Sequence, residues 1–361
     1  MMITCVKFVF LSKFYNYPVS RAIYEINTDK RLKRFLKIEN NVPTEVQVYE
    51  YLSRYSPKQY NNISNSFFKL FFKLNKTRKS DWIVNATQVA CDINILKKYM
   101  SPEHLEKLDL DMDFSTTKGY YIEFKVTLVL KKDTLYPISV IIHSGAKNDA
   151  KFFDEVLEEL SRRRLLQKGK LILYDECYYS QENYINAINK YHIIAVIFPR
   201  HYFTIEKLDA RMSTALNILY DSKTLEQDKK LFLELTSKLY EKLENCKKLK
   251  PIRGWIEDFF KVYKDAFGLG EFHAYTQSSM RRNIYLCILL SALAIQQGFD
   301  TKTKLQQLAE GRIYLEPIKS RKSKKTEEKE EKTKNQKVGK ETNPQSTLKI
   351  KIRKQIKLDY F

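Results

Sequence analysis

A mixed α/β fold is what this sequence predicts, on three observations. From Asp81 onward, WIVNATQVA, GYYIEFKVTLVL and LYPISVIIH are rich in β-branched or alternating apolar residues and read as three consecutive strands. Helical spacing of apolar residues then sets in over NDAKFFDEVLEELSRRR. Finally, KLILYDE and HIIAVIFPR read as short buried strands separated by the amphipathic helix QENYINAINKY. With 361 residues, 43% of them apolar, the chain can fill a core of that size.

The order strand, strand, strand, helix, strand, helix, strand is the skeleton of a ribonuclease H-like mixed sheet with flanking helices, in which three antiparallel strands lead into parallel ones. Ahead of it, residues 1–80 read as an N-terminal helical module carrying NYPVSRAIYEI, a helix that starts at Thr44 after Pro43 and ends at Pro57, and SNSFFKLFFKLNK. Its functional reading is a DNA-end binding module, and a helical cap on the core explains it equally well. Residues 81–316 form the ribonuclease H-like domain, interrupted by a charged helical insertion over about 205–250. IRGWIEDFFKVYKDAFGL follows as the last helix of the site, stopped near Gly268 and Gly270. The helix from about Ser278 to Gln297 is apolar on most faces and is expected against the sheet. Residues 317–361 lose apolar content and are expected to be a disordered basic C-terminal tail.

Lys and Arg outnumber Asp and Glu by 64 to 43, a net charge of +21, which favours a polyanionic partner and first of all nucleic acid. The five cysteines, Cys5, Cys91, Cys177, Cys246 and Cys287, contain no CxxC pair, so neither a zinc site nor a disulfide framework is indicated. The longest uncharged apolar stretch, Ile284 to Ile295, is well short of the roughly 20 residues that span a bilayer. Lys7 and Lys13 break up the first apolar run. A cytoplasmic protein with no membrane partner is expected.

Two acids stand where this architecture makes them informative. Asp175 ends the run LILY, and the carboxyl end of a buried strand is where α/β sheets form sites. Glu257 lies on a helix fixed by the stripe Ile256, Phe259, Phe260, with Arg253 four residues before it and Lys264 seven after. An acid flanked by two bases suits a metal together with a phosphate, and an ordinary salt-bridged solvent face suits the same pattern. His143 and Asp149, in IIHSGAKND, are candidates to line the site, with Asp149 otherwise a helix N-cap. The other histidines, His201 and His273 among them, show no ligand spacing.

Arg253, Glu257 and Lys264 in RGWIEDFFKVYK resemble the signature around the catalytic Glu of DDE transposases of the bacterial and archaeal insertion-sequence type. YDECYYSQENY resembles the second-Asp motif of that family and WIVNATQVACDIN its first-Asp strand. The likeness runs from about Pro43 to Phe299 with the three motifs in family order. It implies that three carboxylates converge at one sheet edge. They hold two divalent ions, Mg²⁺ or Mn²⁺, about 4 Å apart, for in-line attack on a phosphodiester by water or a 3′-hydroxyl. It further implies Asp175 and Glu257 as metal ligands, Arg253 and Lys264 as DNA contacts, and a homodimer on double-stranded DNA that holds transposon ends and target.

The departures from the family pattern set a second expectation. Asn85 stands at the first Asp, and Glu176 and Cys177 stand where the family has a basic residue and Gly. An amide offers one neutral oxygen in place of a carboxylate, so cleavage and strand transfer are expected to be impaired. Asp92, seven residues on, is the nearest acid to compensate, and reaching the same face requires a bend or bulge in the strand. A catalytically inactive, transposase-derived DNA-binding protein and a ribonuclease H-like nuclease or resolvase are the competing readings.

Overall fold

A computed structural model describes residues 2–15, 17–38, 42–74, 80–92, 101–103, 112–115, 119–144, 148–221, 226–270 and 276–309. Helices come first: α1 (Met2–Tyr15), α2 (Val19–Thr28), α3 (Lys30–Phe35), α4 (Glu45–Ser53) and α5 (Pro57–Leu74). The capping signal read at Thr44 is realised as a reciprocal pair, in which Thr44 Oγ accepts from the Gln47 amide and Gln47 Oε1 accepts from the Thr44 amide. Pro57 corrects the sequence reading. It opens α5 rather than ending the helix before it, which already stops at Ser53, since a ring without an N–H fits a first turn. Residues 2–15 form a helix that no periodicity announced, because apolar residues occupy most of its faces.

Six strands follow: β1 (Trp82–Asp92), β2 (Met112–Ser115), β3 (Gly119–Lys131), β4 (Pro137–Ser144), β5 (Leu171–Tyr174) and β6 (Ile194–Ile197). The short β2 is an addition to the three strands read in succession. It lies beside the first residues of β3, and β4 pairs with the remainder of β3. The sheet then runs β3, β1, β5, β6, antiparallel between β1 and β3 and parallel from β1 through β5 to β6. This mixed topology is the ribonuclease H-like arrangement. Helix α6 (Phe153–Arg162) connects β4 to β5, and α7 (Gln181–Asn189) connects β5 to β6. α8 (Ile205–Asp221) and α9 (Glu226–Glu244) make up the insertion, and α9 packs back on β6.

α10 (Lys250–Ala266) stops where Gly268 takes φ 73°, a left-handed conformation that only Gly adopts without strain. α11 (Gln277–Gln296) packs on α1, α5 and β4, so its apolar surface is buried against the N-terminal helices as well as the sheet. A further helix, α12 (Lys302–Ala309), went unread in the sequence and packs on α10. The Tyr263 hydroxyl and Ser291 meet between α10 and α11. The tail expected to be disordered lies outside the described residues. None of the described helices is long and apolar enough to cross a membrane.

The core is thickest where β5 and β6 are buried almost end to end. Leu173→Ala should therefore cost about 2–5 kcal/mol and Thr44→Ala about 1 kcal/mol, read as shifts in urea unfolding midpoints. Equal losses at the two positions would contradict this division between core and cap.

Candidate functional site

β1 and β5 run parallel, with Trp82 opposite Ile172, Ile83 opposite Leu173 and Val84 opposite Tyr174. Continued by one residue, the register sets Asn85 beside Asp175, both on the face that carries Ile83 and Leu173. Asn85 is 7% exposed, and its Oδ1 accepts a hydrogen bond from the Ala86 amide at 2.7 Å. Asp175 ends the strand in extended backbone, and its carboxylate caps the 3₁₀ turn Glu176–Tyr178 by accepting from the Cys177 amide at 3.5 Å. The two adjacent motifs thus meet at the carboxyl edge of neighbouring strands.

The turn after Asp175 is held from beneath. Tyr178 is fully buried, its ring 5.3 Å from that of Tyr174 and its hydroxyl 3.4 Å from Thr127 Oγ1 on β3. Asn183 donates to the carbonyls of Tyr178, at 2.9 Å, and Ala150, at 3.1 Å, so α7 clamps the turn. Thr127 and Asn183 carried no sequence signal, because a lone Thr in a strand and a lone Asn in a helix are common. Their role is visible only once β3 and α7 are packed.

His143 and Asp149 belong to this support, and the 3₁₀ turn that opens at Asp149 packs on the turn after Asp175. His143 is opposite Lys125 in the β3–β4 register, on the sheet face opposite Asn85. Its Nε2 lies 3.1 Å from Thr127 Oγ1 and its Nδ1 3.1 Å from Glu155, and its ring stacks on Phe152 at 3.8 Å. Asp149 pairs with Lys125 Nζ at 2.6 Å, both side chains nearly buried. The N-cap read at Asp149 is instead Asn148, which accepts from the Ala150 amide at 3.2 Å. A buried carboxylate needs a partner, and Lys125 supplies it.

Glu257 stands on another element. It is exposed on α10, while Ile256, Phe259, Phe260 and Tyr263 on the same helix are buried. Arg253 and half-buried Lys264 sit on that helix at the spacing read from the sequence. The principal packing of α10 is with α11, α12 and the 3₁₀ turn before it. β1 continues to Asp92 in unbroken register with β3, so the pairing contains no bulge between positions 85 and 92. His201 is exposed, its ring 5.0 Å from Tyr202, and His273 lies outside the described residues.

These donors do not fit a two-ion centre. One carboxylate stands beside a neutral amide whose oxygen already accepts a backbone hydrogen bond. Among the described residues no group of three or more His, Cys, Asp or Glu side chains is placed to hold a metal ion.

Comparison with known proteins supplies one match. The family described as transposase DDE domain matches residues 106–293, just over half of the chain and a span that includes Asp175 and Glu257. No curated protein matches the chain.

The altered second motif gives a direct probe of the edge. Burial pushes the Cys177 thiol up to about 11, helped by the charge of Asp175, by the thiol's hydrogen bond to it, and by Asp149 and Glu176. At pH 8 alkylation of Cys177 should run roughly a hundredfold slower than at an ordinary exposed thiol and should accelerate up to about pH 11. Asp175→Asn should speed it. Peptide mapping after timed iodoacetamide exposure reads both rates, and a fast reaction in the unaltered protein would contradict the proximity of Cys177 to Asp175.

Proposed function

The chain belongs to the transposase DDE domain family, and from that premise we propose a DNA-binding transposase whose strand cleavage and strand transfer are impaired at Asn85. The observation that carries the reading is the β1–β5 register, which puts an amide beside Asp175 where the family's chemistry calls for a second acid. Replacing Asp by Asn keeps the shape and removes a unit of ligand charge. Hard divalent cations depend on that charge, so ions at this edge are held weakly. Asp175 and Glu257 are the retained acids in this reading, and Arg253 and Lys264 are its phosphate contacts. Asp92 is given no ligand role in this reading, since the β1–β3 pairing contains no bulge between it and Asn85. The net charge of +21 is consistent with double-stranded DNA as the partner, held by a homodimer that brings two ends together.

The test is cleavage and joining of DNA taken from either side of the coding region, with Mg²⁺ or Mn²⁺ supplied. The natural protein should give little product. Asn85→Asp should raise the rate by about tenfold or more, because a tenfold change needs only about 1.4 kcal/mol of barrier and metal charge stabilisation is worth several. Asp175→Asn and Glu257→Gln, each built on Asn85→Asp, should abolish the gain. A natural protein that joins ends at a rate Asn85→Asp leaves unchanged would remove the impairment from the reading. DNA binding with no product from either protein would leave a transposase-derived binding protein.

A further inference from the structure

At the carboxyl end of α6 the chain spells Arg162, Arg163, Arg164. These arginines line a cavity of about 420 Å³ together with Asn62, Asn65 and Lys69 of α5, and no acidic residue lines it. Arg163 is the structural member. It donates to Ser139 Oγ at 2.8 Å and to the carbonyls of Asn65 at 2.8 Å and Ile138 at 3.3 Å, tying α5 to β4. Lys69 Nζ donates to the Arg163 carbonyl at 3.2 Å, and Arg162 makes two hydrogen bonds to Glu159, at 3.0 and 2.8 Å.

Arg164 is different in kind. It occupies the first position past the helix, where its amide meets the Ser161 carbonyl at 2.7 Å and the Leu165 amide meets the Leu160 carbonyl at 3.0 Å. That is the Schellman ending, whose left-handed residue is usually Gly. Arg164 adopts it with φ 54°, a strained conformation for a residue with a Cβ. The Arg164 side chain is exposed where it lines the cavity, and among the described residues no carboxylate pairs with it. A strained cation over a wall of amides and further cations is a reason to look for an anion.

The cavity also lies apart from the site edge. Ser139 is opposite Val129 on β3, and Val129 is opposite Val84 on β1, so the arginines anchor on the sheet face that Asn85 and Asp175 do not occupy. We propose that the Arg162–Arg164 cluster and Lys69 form a second phosphate-backbone site, which grips a segment of duplex DNA separate from the one at the Asp175 edge. Guanidinium groups match phosphate oxygens in pairs, and the neighbouring Asn side chains add donors that reach sugar and phosphate. The site straddles α5 and α6, so DNA bound there also spans the N-terminal helices and the sheet domain.

This inference rests on the DNA-binding half of the proposed function and is independent of its chemistry. The test is fluorescence anisotropy of a labelled mixed-sequence duplex with the full chain in EDTA, titrated between about 50 and 200 mM salt. Arg164→Gly removes the cation and supplies the residue that the backbone favours, so its melting temperature should equal or exceed that of the natural protein. Its slope of log K against log salt should fall by about 0.9, and Arg164→Gly combined with Lys69→Gln should fall by about 1.8. Affinity at about 100 mM salt should drop several-fold with the first change and about tenfold with both. Unchanged slope and affinity in Arg164→Gly would overturn the site while leaving the catalytic reading intact. Failure of the natural protein to bind duplex at all would overturn both, and normal binding with no cleavage by Asn85→Asp when Mg²⁺ is supplied would count against the catalytic reading alone.

Discussion

The parallel pairing of β1 with β5 is the constraint from which the rest of the molecule follows. Three residue pairs fix it, and in a parallel sheet a slip of one residue would exchange the faces of every side chain on the strand. Trp82, Ile83 and Val84 on one strand and Ile172, Leu173 and Tyr174 on the other are all buried, so both faces of the sheet are packed here and a slip would disturb the packing on each. The register therefore does two things at once. It closes the centre of the core, and it delivers Asn85 and Asp175 to the same level and the same face.

Support for that edge comes from the other face of the sheet. The chain of contacts from Glu155 through His143 and Thr127 to Tyr178 crosses from α6 to the turn that holds Asp175. Asp149 and Lys125 neutralise each other alongside it. Buried polar groups of this kind are costly when partly satisfied and rigidifying when complete. The turn after β5 can thus keep its shape without depending on what Asp175 itself binds.

Much of the fold was legible because its signals are local. β-branched residues marked β1, alternation marked β3, short apolar runs marked β5 and β6, and Thr44 after Pro43 marked a helix start. The failures have local causes too. Helix α1 is apolar on most faces and so shows no period, while β2 is four residues long and offers too little pattern to read. Pro57 was read as a stop because a proline following a helix suits the end of one helix and the start of the next equally well. Within the site, Asp175 was legible because LILY must be a buried strand and the residue after it must lie at the edge. The apolar stripe on α10 fixed which side of that helix is buried, but not what Glu257 faces once it is exposed. For His143 and Asp149 the partners were what the sequence did not show. A loop sequence does not say which face of the sheet it returns to, and the Lys125 partner that claims Asp149 is 24 positions earlier in the chain.

The physical logic of the Asn85 exchange runs through charge rather than shape. Two carboxylates side by side at the ends of adjacent strands repel each other, and cations are what make such a pair tolerable. An amide at position 85 relieves that repulsion, and its oxygen accepts from the Ala86 amide. What the chain loses in ligand charge at one edge it does not lose as a polycation. Arg164 at the end of α6 has the left-handed backbone also found at Lys37, Leu135 and His192, and differs from them in the Arg and Lys side chains that share its cavity. A family fold in which Asp175 stands beside an amide, on a chain of net charge +21, is the physical ground on which the proposed holding of nucleic acid rests.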